Sequence, residues 1–307
     1  MKKITQTIYH SLIGTIYAGA ILLLAPGASA QNLFVSDYQT GDIYEYSPSG
    51  SMTTFATGLS NPAGLAFNSA GDLFASDQGR GNVYEFINNN GILSTTPTLF
   101  ASGFNTPAGL AFDNAGNLFI ANAGGNDIIK ITPGNVRSTF ASGLNAPLGL
   151  AINGAGTLLF VGNSGNGVIT QITSTGSESP FATGLNGPGL GLAINQAGDL
   201  FVSDVDGYNP SGEAITEISP GGAETPFASG FGLPSAMAFN NAGTMFVGEG
   251  RSPNILEFSS NGQDTIFGTG ATDPNGLAFQ PMPEPSTLAL IVLSGVAVLN
   301  RRFRRNA

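Results

Sequence analysis

The stretch LFVSD, Leu33 to Asp37, is the first of six near copies in this chain. Each copy is an apolar run that ends in a polar side chain, and these end residues are Asp37, Asp77, Asn122, Asn163, Asp204 and Glu249. They are spaced 40, 45, 41, 41 and 45 residues apart. A period of this length is typical of repeats that each form one four-stranded unit of a radial all-β fold.

Each repeat contains three further strand-like segments. A GLAF-type segment precedes the LFVSD copy, and its glycine-containing turn favours a tight hairpin. The GLAF-type segments span residues 64–67, 109–112, 149–152, 191–194, 236–239 and 276–279. After the LFVSD copy comes a run of alternating character, which predicts a partly exposed strand, and then a FATGL-type segment. The polar third positions of the alternating runs are Glu45, Glu85, Lys130, Gln171, Glu217 and Glu257.

The two ends of the repeat region complement each other. The region opens on a second strand at Asn32–Asp37 and finishes on an unaccompanied first strand at Gly276–Phe279. Pairing these two strands would complete a first blade and leave no open strand edge. We therefore predict an all-β fold, a six-bladed β-propeller over residues 31–280 with ring closure by its terminal strands. The alternative, a solenoid of hairpins, would require distinct terminal caps.

The first 30 residues have the features of an export signal. Lys2 and Lys3 precede an apolar run, and Ala28-Ser29-Ala30 is a small-x-small cleavage site, so Gln31 would begin the mature chain. The single histidine, His10, lies in this segment, and the chain has no cysteine. The mature protein would then have no imidazole or thiol for catalysis, for binding zinc or for disulfides.

The charge of the repeat region limits its partners. Residues 31–280 contain 4 basic and 19 acidic side chains, a net charge of −15. Nucleic acids would be repelled, since their binding requires clustered lysine and arginine. The acidic surface is explained either by solubility outside the cell or by attraction of divalent cations.

The six repeats, with phrases such as NAGNLFIAN at 114–122 followed by NDIIKI at 126–131, resemble the NHL repeat and the regucalcin and gluconolactonase superfamily. The resemblance covers essentially all of 31–279 and implies the propeller fold. It implies little about activity, because propellers of this kind include binding platforms, lactonases and lyases.

Residues 281–307 resemble the PEP-CTERM sorting signal of Gram-negative bacteria. The matching parts are Pro283-Glu284-Pro285, an apolar helix predicted over 288–299, and the basic residues Arg301, Arg302, Arg304 and Arg305. As a helix the apolar strip would reach only about 18 Å, whereas a permanent span needs about 20 residues. The alternative is a plain C-terminal anchor.

The PEP-CTERM resemblance implies an exosortase-type processing enzyme as partner and a transient inner-membrane intermediate. Arginines after the strip would stay cytoplasmic while the propeller is translocated. We expect the protein at the cell surface or outside the cell, where its C-terminus would lack Arg301 to Arg305.

The ends of the six LFVSD copies should meet at one face of the propeller and ring the mouth of its channel. Four carboxylates and two amides are suitable oxygen ligands for Ca²⁺. The alternative is that each side chain accepts hydrogen bonds from the turn that follows it. Recurrence in all six repeats favours this architectural role.

The long segment that begins at Asp204 is a second candidate Ca²⁺ site. Its oxygen donors are Asp204, Asp206, Asn209 and Glu213. The spacing is not that of an EF-hand, since Ile215 stands at the twelfth position. The alternative is a solvated turn.

The superfamily resemblance also suggests a Ca²⁺-dependent lactonase or lyase that uses Asp204 and Asn275. Several departures weaken this reading: Pro274-Asn275-Gly276 is the chain's one Pro-Asn-Gly motif, no acidic residue precedes Leu33 in the mature chain, and tryptophan is absent. We therefore favour a non-enzymatic, monomeric module that binds a protein or a glycan. A purely structural role in the extracellular matrix is the third possibility.

Overall fold

The computed structural model describes residues 31–204, 213–230 and 232–282. These residues form six four-stranded antiparallel sheets, the blades of a six-bladed β-propeller. In every blade the strand order from the centre outward is inner, second, third and outer. The fold predicted from the six repeats is therefore confirmed.

Each of blades one to six contributes one strand of each kind. In blade order, the inner strands are Pro274–Phe279, Pro62–Phe67, Pro107–Phe112, Pro147–Ile152, Pro188–Ile194 and Pro234–Phe239. The second strands are Leu33–Asp37, Leu73–Asp77, Leu118–Asn122, Leu158–Asn163, Leu200–Asp204 and Met245–Glu249. The third strands are Asp42–Tyr46, Asn82–Phe86, Asp127–Ile131, Val168–Thr173, Ala214–Ile218 and Asn254–Phe258. The outer strands are Met52–Ala56, Thr98–Ser102, Arg137–Ser142, Glu178–Thr183, Glu224–Ser229 and Asp264–Thr269.

Two smaller elements interrupt the repeat. A two-stranded hairpin, Asn88–Asn89 with Ile92–Leu93, follows the third strand of blade two. A 3₁₀ turn at Ala123–Gly125 joins the second and third strands of blade three. The hairpin accounts for part of the longer 45-residue spacing in this region.

The ring closes through its two ends, as predicted. The second strand of blade one pairs antiparallel with the inner strand at the other end of the region, from Leu33 opposite Phe279 to Asp37 opposite Pro274. Each inner strand also contacts the inner strands of both neighbouring blades. Closure therefore leaves no blade interface open among the described strands.

The inner strands begin earlier than the sequence predicted. The GLAF pattern placed the start of blade two's strand at Gly64, but the strand begins at Pro62, which lies opposite Asp77. The register shifts between Pro62 and Leu65, so a bulge separates the two paired parts. Proline is tolerated at the first residue of a strand because it needs to donate no ladder hydrogen bond there.

Glycine in the inner strands permits the blades to approach the axis closely. A Cβ added to Gly64 would lie 2.5 Å from the carbonyl oxygen of Ala108 in the next blade. A Cβ at Gly276 would clash with the carbonyl oxygen of Ala63. Larger residues at these positions would push the neighbouring strands apart.

The core lies between the blades and is rich in phenylalanine. Phe74 of blade two contacts Phe100 of its own outer strand and Phe112 of blade three, with ring centroids 5.0 Å apart in both pairs. Blades five and six repeat this arrangement, with Phe201 placed 5.3 Å from Phe239. Edge-to-face pairs of this kind add to the free energy gained by burying the rings.

Candidate functional site

We call the two ends of the propeller the upper and lower faces. The upper face contains the second-to-third turns and the loops between blades, and the lower face contains the inner-to-second and third-to-outer turns. The six polar residues that end the LFVSD copies lie at the upper face.

All six of these side chains accept a hydrogen bond from a backbone N–H of the loop that enters their blade. The distances are 2.5 Å for Thr272 to Asp37, 2.9 Å for Ser60 to Asp77, 2.7 Å for Asn105 to Asn122, 3.1 Å for Asn145 to Asn163, 2.6 Å for Asn186 to Asp204 and 3.1 Å for Gly232 to Glu249. The recurring polar residue therefore fixes the loop between consecutive blades. The sequence predicted that each side chain would bond to the turn that follows its own LFVSD copy. It did not indicate the bond to the loop that enters the blade, which lies before the inner strand.

In the first two blades, the polar side chain also accepts hydrogen bonds from the backbone of the turn that follows its strand. Asp37 Oδ1 accepts from the N–H groups of Gln39 and Thr40, both at 3.1 Å. Asp77 Oδ1 accepts from Arg80 N–H at 2.9 Å, and its Oδ2 lies 2.8 Å from the Arg80 guanidinium. Asp37 and Asp77 are fully buried, and buried carboxylates require such compensation.

Of the predicted metal set, only two members fall within the described residues. Asp206 and Asn209 lie outside them, Asp204 accepts the Asn186 bond, and Glu213 is 1% exposed. Glu213 Oε1 lies 2.7 Å from the Arg251 guanidinium, and its Oε2 accepts a hydrogen bond from Leu233 N–H. Glu213 is therefore not on a solvated turn, and a guanidinium beside its carboxylate disfavours a second cation there.

The central channel is narrow and apolar where the inner strands enclose it. A cavity of about 60 Å³ is lined there mainly by glycines and aliphatic side chains, together with Asn275. Asn275 Nδ2 donates to Asp273 Oδ1 at 3.0 Å. Asp204 does not line this cavity.

Asp273 was not singled out by the sequence patterns. Burial, together with the negative charge of Asp37, raises the pKa of its carboxyl above the ordinary value of 3.8. Two carboxylates and the Asn275 amide thus lie close to one another in blade one. Among the described residues, no three acidic, histidine or cysteine side chains are arranged to hold a metal ion.

At the lower face, crevices open between neighbouring blades. The one between blades two and three has a volume of about 380 Å³ and is lined by Glu85 and by the rings of Phe74, Phe100 and Phe112. We call it the Glu85 crevice. Burial, and then the charge of Asp72, raise the pKa of Glu85 above its ordinary value of 4.5.

The crevice between blades three and four, the Lys130 crevice, has a volume of about 320 Å³. The Lys130 ammonium lies 5.4 Å from the centroid of the Phe119 ring and 5.7 Å from that of Phe140. The other lining residues include Asn114, Asn117, Asp113, Thr157, Thr173 and Ser174.

Sequence reasoning identified the alternating third strand but missed these crevices. All six polar third positions are half-buried, which confirms the prediction of partly exposed strands. The sequence contained one indication of the Lys130 crevice: the polar third position is glutamate or glutamine in five blades and is Lys130 in blade three. Its significance depends on packing between blades, which a strand pattern does not report.

The predicted sorting residues Pro283, Glu284, Pro285, Arg301, Arg302, Arg304 and Arg305 lie outside the described residues, as do residues 1–30. Within 31–204, 213–230 and 232–282, no helix has the length and apolar character needed to cross a membrane.

No protein-family profile and no curated protein matches the sequence. The structure is similar to a streptogramin B lyase, with a TM-score of 0.61 and 16% identity over 82% of this chain and 87% of the lyase. A chain of a nidogen/laminin complex gives a TM-score of 0.68 at 16% identity, over 82% of this chain and 98% of that chain.

A third similar structure is a gluconolactonase from Xanthomonas campestris, with a TM-score of 0.60 and 17% identity over 72% of this chain and 80% of the enzyme. At such identities the likeness concerns the fold, which is shared by proteins of different activity. The comparisons and the six closed blades together show that this chain is a six-bladed β-propeller.

Proposed function

We propose that this protein is an exported, exosortase-sorted surface or extracellular-matrix propeller that binds a protein or a glycan. The main observation in favour of binding over catalysis is that the six recurring upper-face side chains stabilise the scaffold. Each accepts a backbone hydrogen bond between blades. Side chains that stabilise the scaffold in this way are poorly suited to bind and release a substrate or metal ion during catalysis.

The narrow channel supports the same proposal. A cavity of about 60 Å³ is well below the range of about 300–1,000 Å³ typical of small-molecule sites. The lower-face crevices reach that range and are lined by both apolar and polar side chains. Ligand binding is therefore assigned to the lower face. A protein ligand also has a precedent in the fold, since one similar propeller belongs to a complex of nidogen with laminin.

Export and sorting rest on the sequence. Residues 1–30 would serve as a signal peptide and residues 281–307 as the sorting signal, whose short apolar segment would insert into the inner membrane only transiently. Mass spectrometry of the extracellular protein should then find no peptide that contains Arg301 to Arg305. An intact C-terminus on that protein would contradict processing by an exosortase-type enzyme.

Binding and catalysis are separated by assays on the full chain. Immobilised protein should retain ligands from a glycan array or an extracellular-matrix protein panel, and should show no saturable hydrolysis of a lactone panel. Saturable hydrolysis that is lost in Asp204→Ala but kept in Asp77→Asn would overturn the binding proposal, because it would separate a catalytic role from loop fixation.

A second candidate is a Ca²⁺-dependent lactonase or lyase. One observation favours it: Asn275 bonds to Asp273, a carboxyl whose pKa is raised by burial and by the charge of Asp37. Bound calcium would supply a Lewis acid there. If millimolar Ca²⁺ does not raise the melting temperature, this candidate loses its support, because a ligand of the folded state must stabilise it.

A further inference from the structure

We propose that the Lys130 crevice binds a sugar that has a carboxylate group, such as a hexuronate unit of an acidic glycan. This inference rests on the proposed binding function and names the ligand class and the site. Its central feature is an ammonium group that has no ionic partner among the described residues of a strongly acidic domain.

The other basic side chains of the described propeller have partners. Arg80 pairs with Asp77, and Arg251 pairs with Glu213. Arg137 donates to the carbonyl oxygen of Ser102 at 2.8 Å. Within the described residues, Lys130 makes neither an ion pair nor a side-chain hydrogen bond, and its contacts are the faces of Phe119 and Phe140. These rings position the ammonium but leave its three N–H donors available.

Among the six polar positions of the third strands, blade three alone has a positive charge. In blade two the third strand has Glu85, and Asp72 is close enough to raise the pKa of that side chain. In blade five, burial and then the charge of Asp199 likewise raise the pKa of Glu217. Blade three has Lys130 and Asn117 at these positions, so both negative charges are absent and one positive charge is present.

Asp113 is the acidic side chain that lines this crevice. Its Oδ1 accepts from the N–H groups of Ala115 and Asn117 at 3.0 and 2.8 Å, and its Oδ2 accepts from Asn117 Nδ2 at 2.6 Å. These three donors offset its negative charge within the turn. Both carboxylate oxygens thus have donors within the turn, and among the described residues Asp113 forms no ion pair with Lys130.

The rest of the rim favours a sugar over an acidic peptide. Asn114, Thr157, Thr173 and Ser174 provide amides and hydroxyls, which can both donate to and accept from sugar hydroxyl groups. A volume of about 320 Å³ is at the small end of ligand sites and suits a compact ring. An extended peptide would favour a free strand edge, whereas this crevice is lined by side chains from both turns and strands of two blades.

The test uses the full chain and ligand-observed NMR titration with glucuronate, glucose, acetate and glutamate. We expect saturable binding of glucuronate, at least tenfold tighter than that of glucose and weakened by added salt. Lys130→Gln should weaken glucuronate binding at least tenfold. This variant should fold, since Gln171 occupies the equivalent position in blade four. Lys130→Arg should keep the affinity within about threefold, and Glu217→Gln, at the equivalent position of blade five, should leave it unchanged.

The outcomes separate this inference from the proposed function. Equal glucuronate binding by the parent and Lys130→Gln, with the array still positive, would overturn the site and leave the binding function standing. Acetate or glutamate binding as tightly as glucuronate would overturn the sugar assignment. No binding of any probe would overturn the inference, while the array and protein panel decide the binding function independently.

Discussion

The upper and lower faces of this propeller use their polar side chains in opposite ways. At the upper face, a polar residue at the same position of every blade bonds to the entering loop, and Asp37 and Asp77 are buried under those loops. At the lower face, the polar third-strand residue is half-buried beside a crevice, and it changes from Glu85 to Lys130 between adjacent blades. The polar residues that have the same role in every blade thus belong to the scaffold. Those whose charge differs between blades lie on the surface that is available to a ligand.

The largest effect is expected from removing an upper-face anchor. Asp77→Ala leaves the N–H groups of Ser60 and Arg80 without their acceptor, so the free energy of unfolding should fall by about 2–3 kcal/mol. Urea denaturation monitored by circular dichroism measures this change.

Asp77→Asn is the matched control. Asn122 and Asn163 accept the equivalent bonds in blades three and four, so the amide should retain most of the stability. A loss in Asp77→Ala that occurs only with Ca²⁺ present would instead indicate a metal role for the upper ring.

The second prediction compares two buried serines next to the upper face. Ser76 Oγ donates to the carbonyl oxygen of Ala108 in the next blade at 2.6 Å. Ser203 occupies the same position in blade five, and its Oγ has no hydrogen-bond partner among the described residues. Ser76→Ala should lower the free energy of unfolding by about 1 kcal/mol, whereas Ser203→Ala should leave it unchanged or raise it. Equal losses in the two variants would show that this bond between blades does not stabilise the ring.

The third prediction concerns the cation of the lower face. Lys130→Gln removes the contacts of the ammonium with Phe119 and Phe140. The loss of stability should be about 0.5–1 kcal/mol, the usual magnitude of a cation–π interaction. A loss as large as that of Asp77→Ala would contradict the assignment of the lower face to recognition, because Lys130 would then be part of the scaffold.

The smallest effect is expected for Glu85→Gln, and it should depend on pH. Burial raises the pKa of Glu85 in the folded protein, so the folded state binds the proton more tightly than the unfolded state and is stabilised as the pH falls. At pH 7 the ionised carboxylate is unfavourable, and the Gln variant should melt at a slightly higher temperature.

That difference should shrink as the pH falls through the raised pKa toward the ordinary value of 4.5. Melting curves of the two proteins between pH 7 and pH 4.5 measure it, and comparing them cancels the similar contributions of Glu217 and Asp273. A difference independent of pH would show that the gain does not come from the charge of Glu85.

The sequence by itself determined the six repeats, the four strands of each blade and the closure of the ring. It could do so because a side-chain period of two and glycine-containing turns are local properties, and because the terminal strands are complementary copies of one unit. The starts of the inner strands were misplaced, since the bulge after Pro62 depends on pairing with Asp77. The outer strands were misplaced as well: they begin two or three residues before the FATGL-type segments, as at Met52–Ala56.

The tertiary structure decided how the candidate site residues are used. The sequence named Asp77, Asp204 and Glu213 as possible ligands by their oxygen atoms. In the structure each accepts a hydrogen bond from a loop 17 to 20 residues away, and Glu213 also pairs with Arg251 in the next blade. The sequence likewise showed Lys130 without showing its crevice, because the walls come from two blades. Hydrogen bonds and charges between distant segments exist only after the ring has closed, and they determine which polar side chains remain available for a ligand.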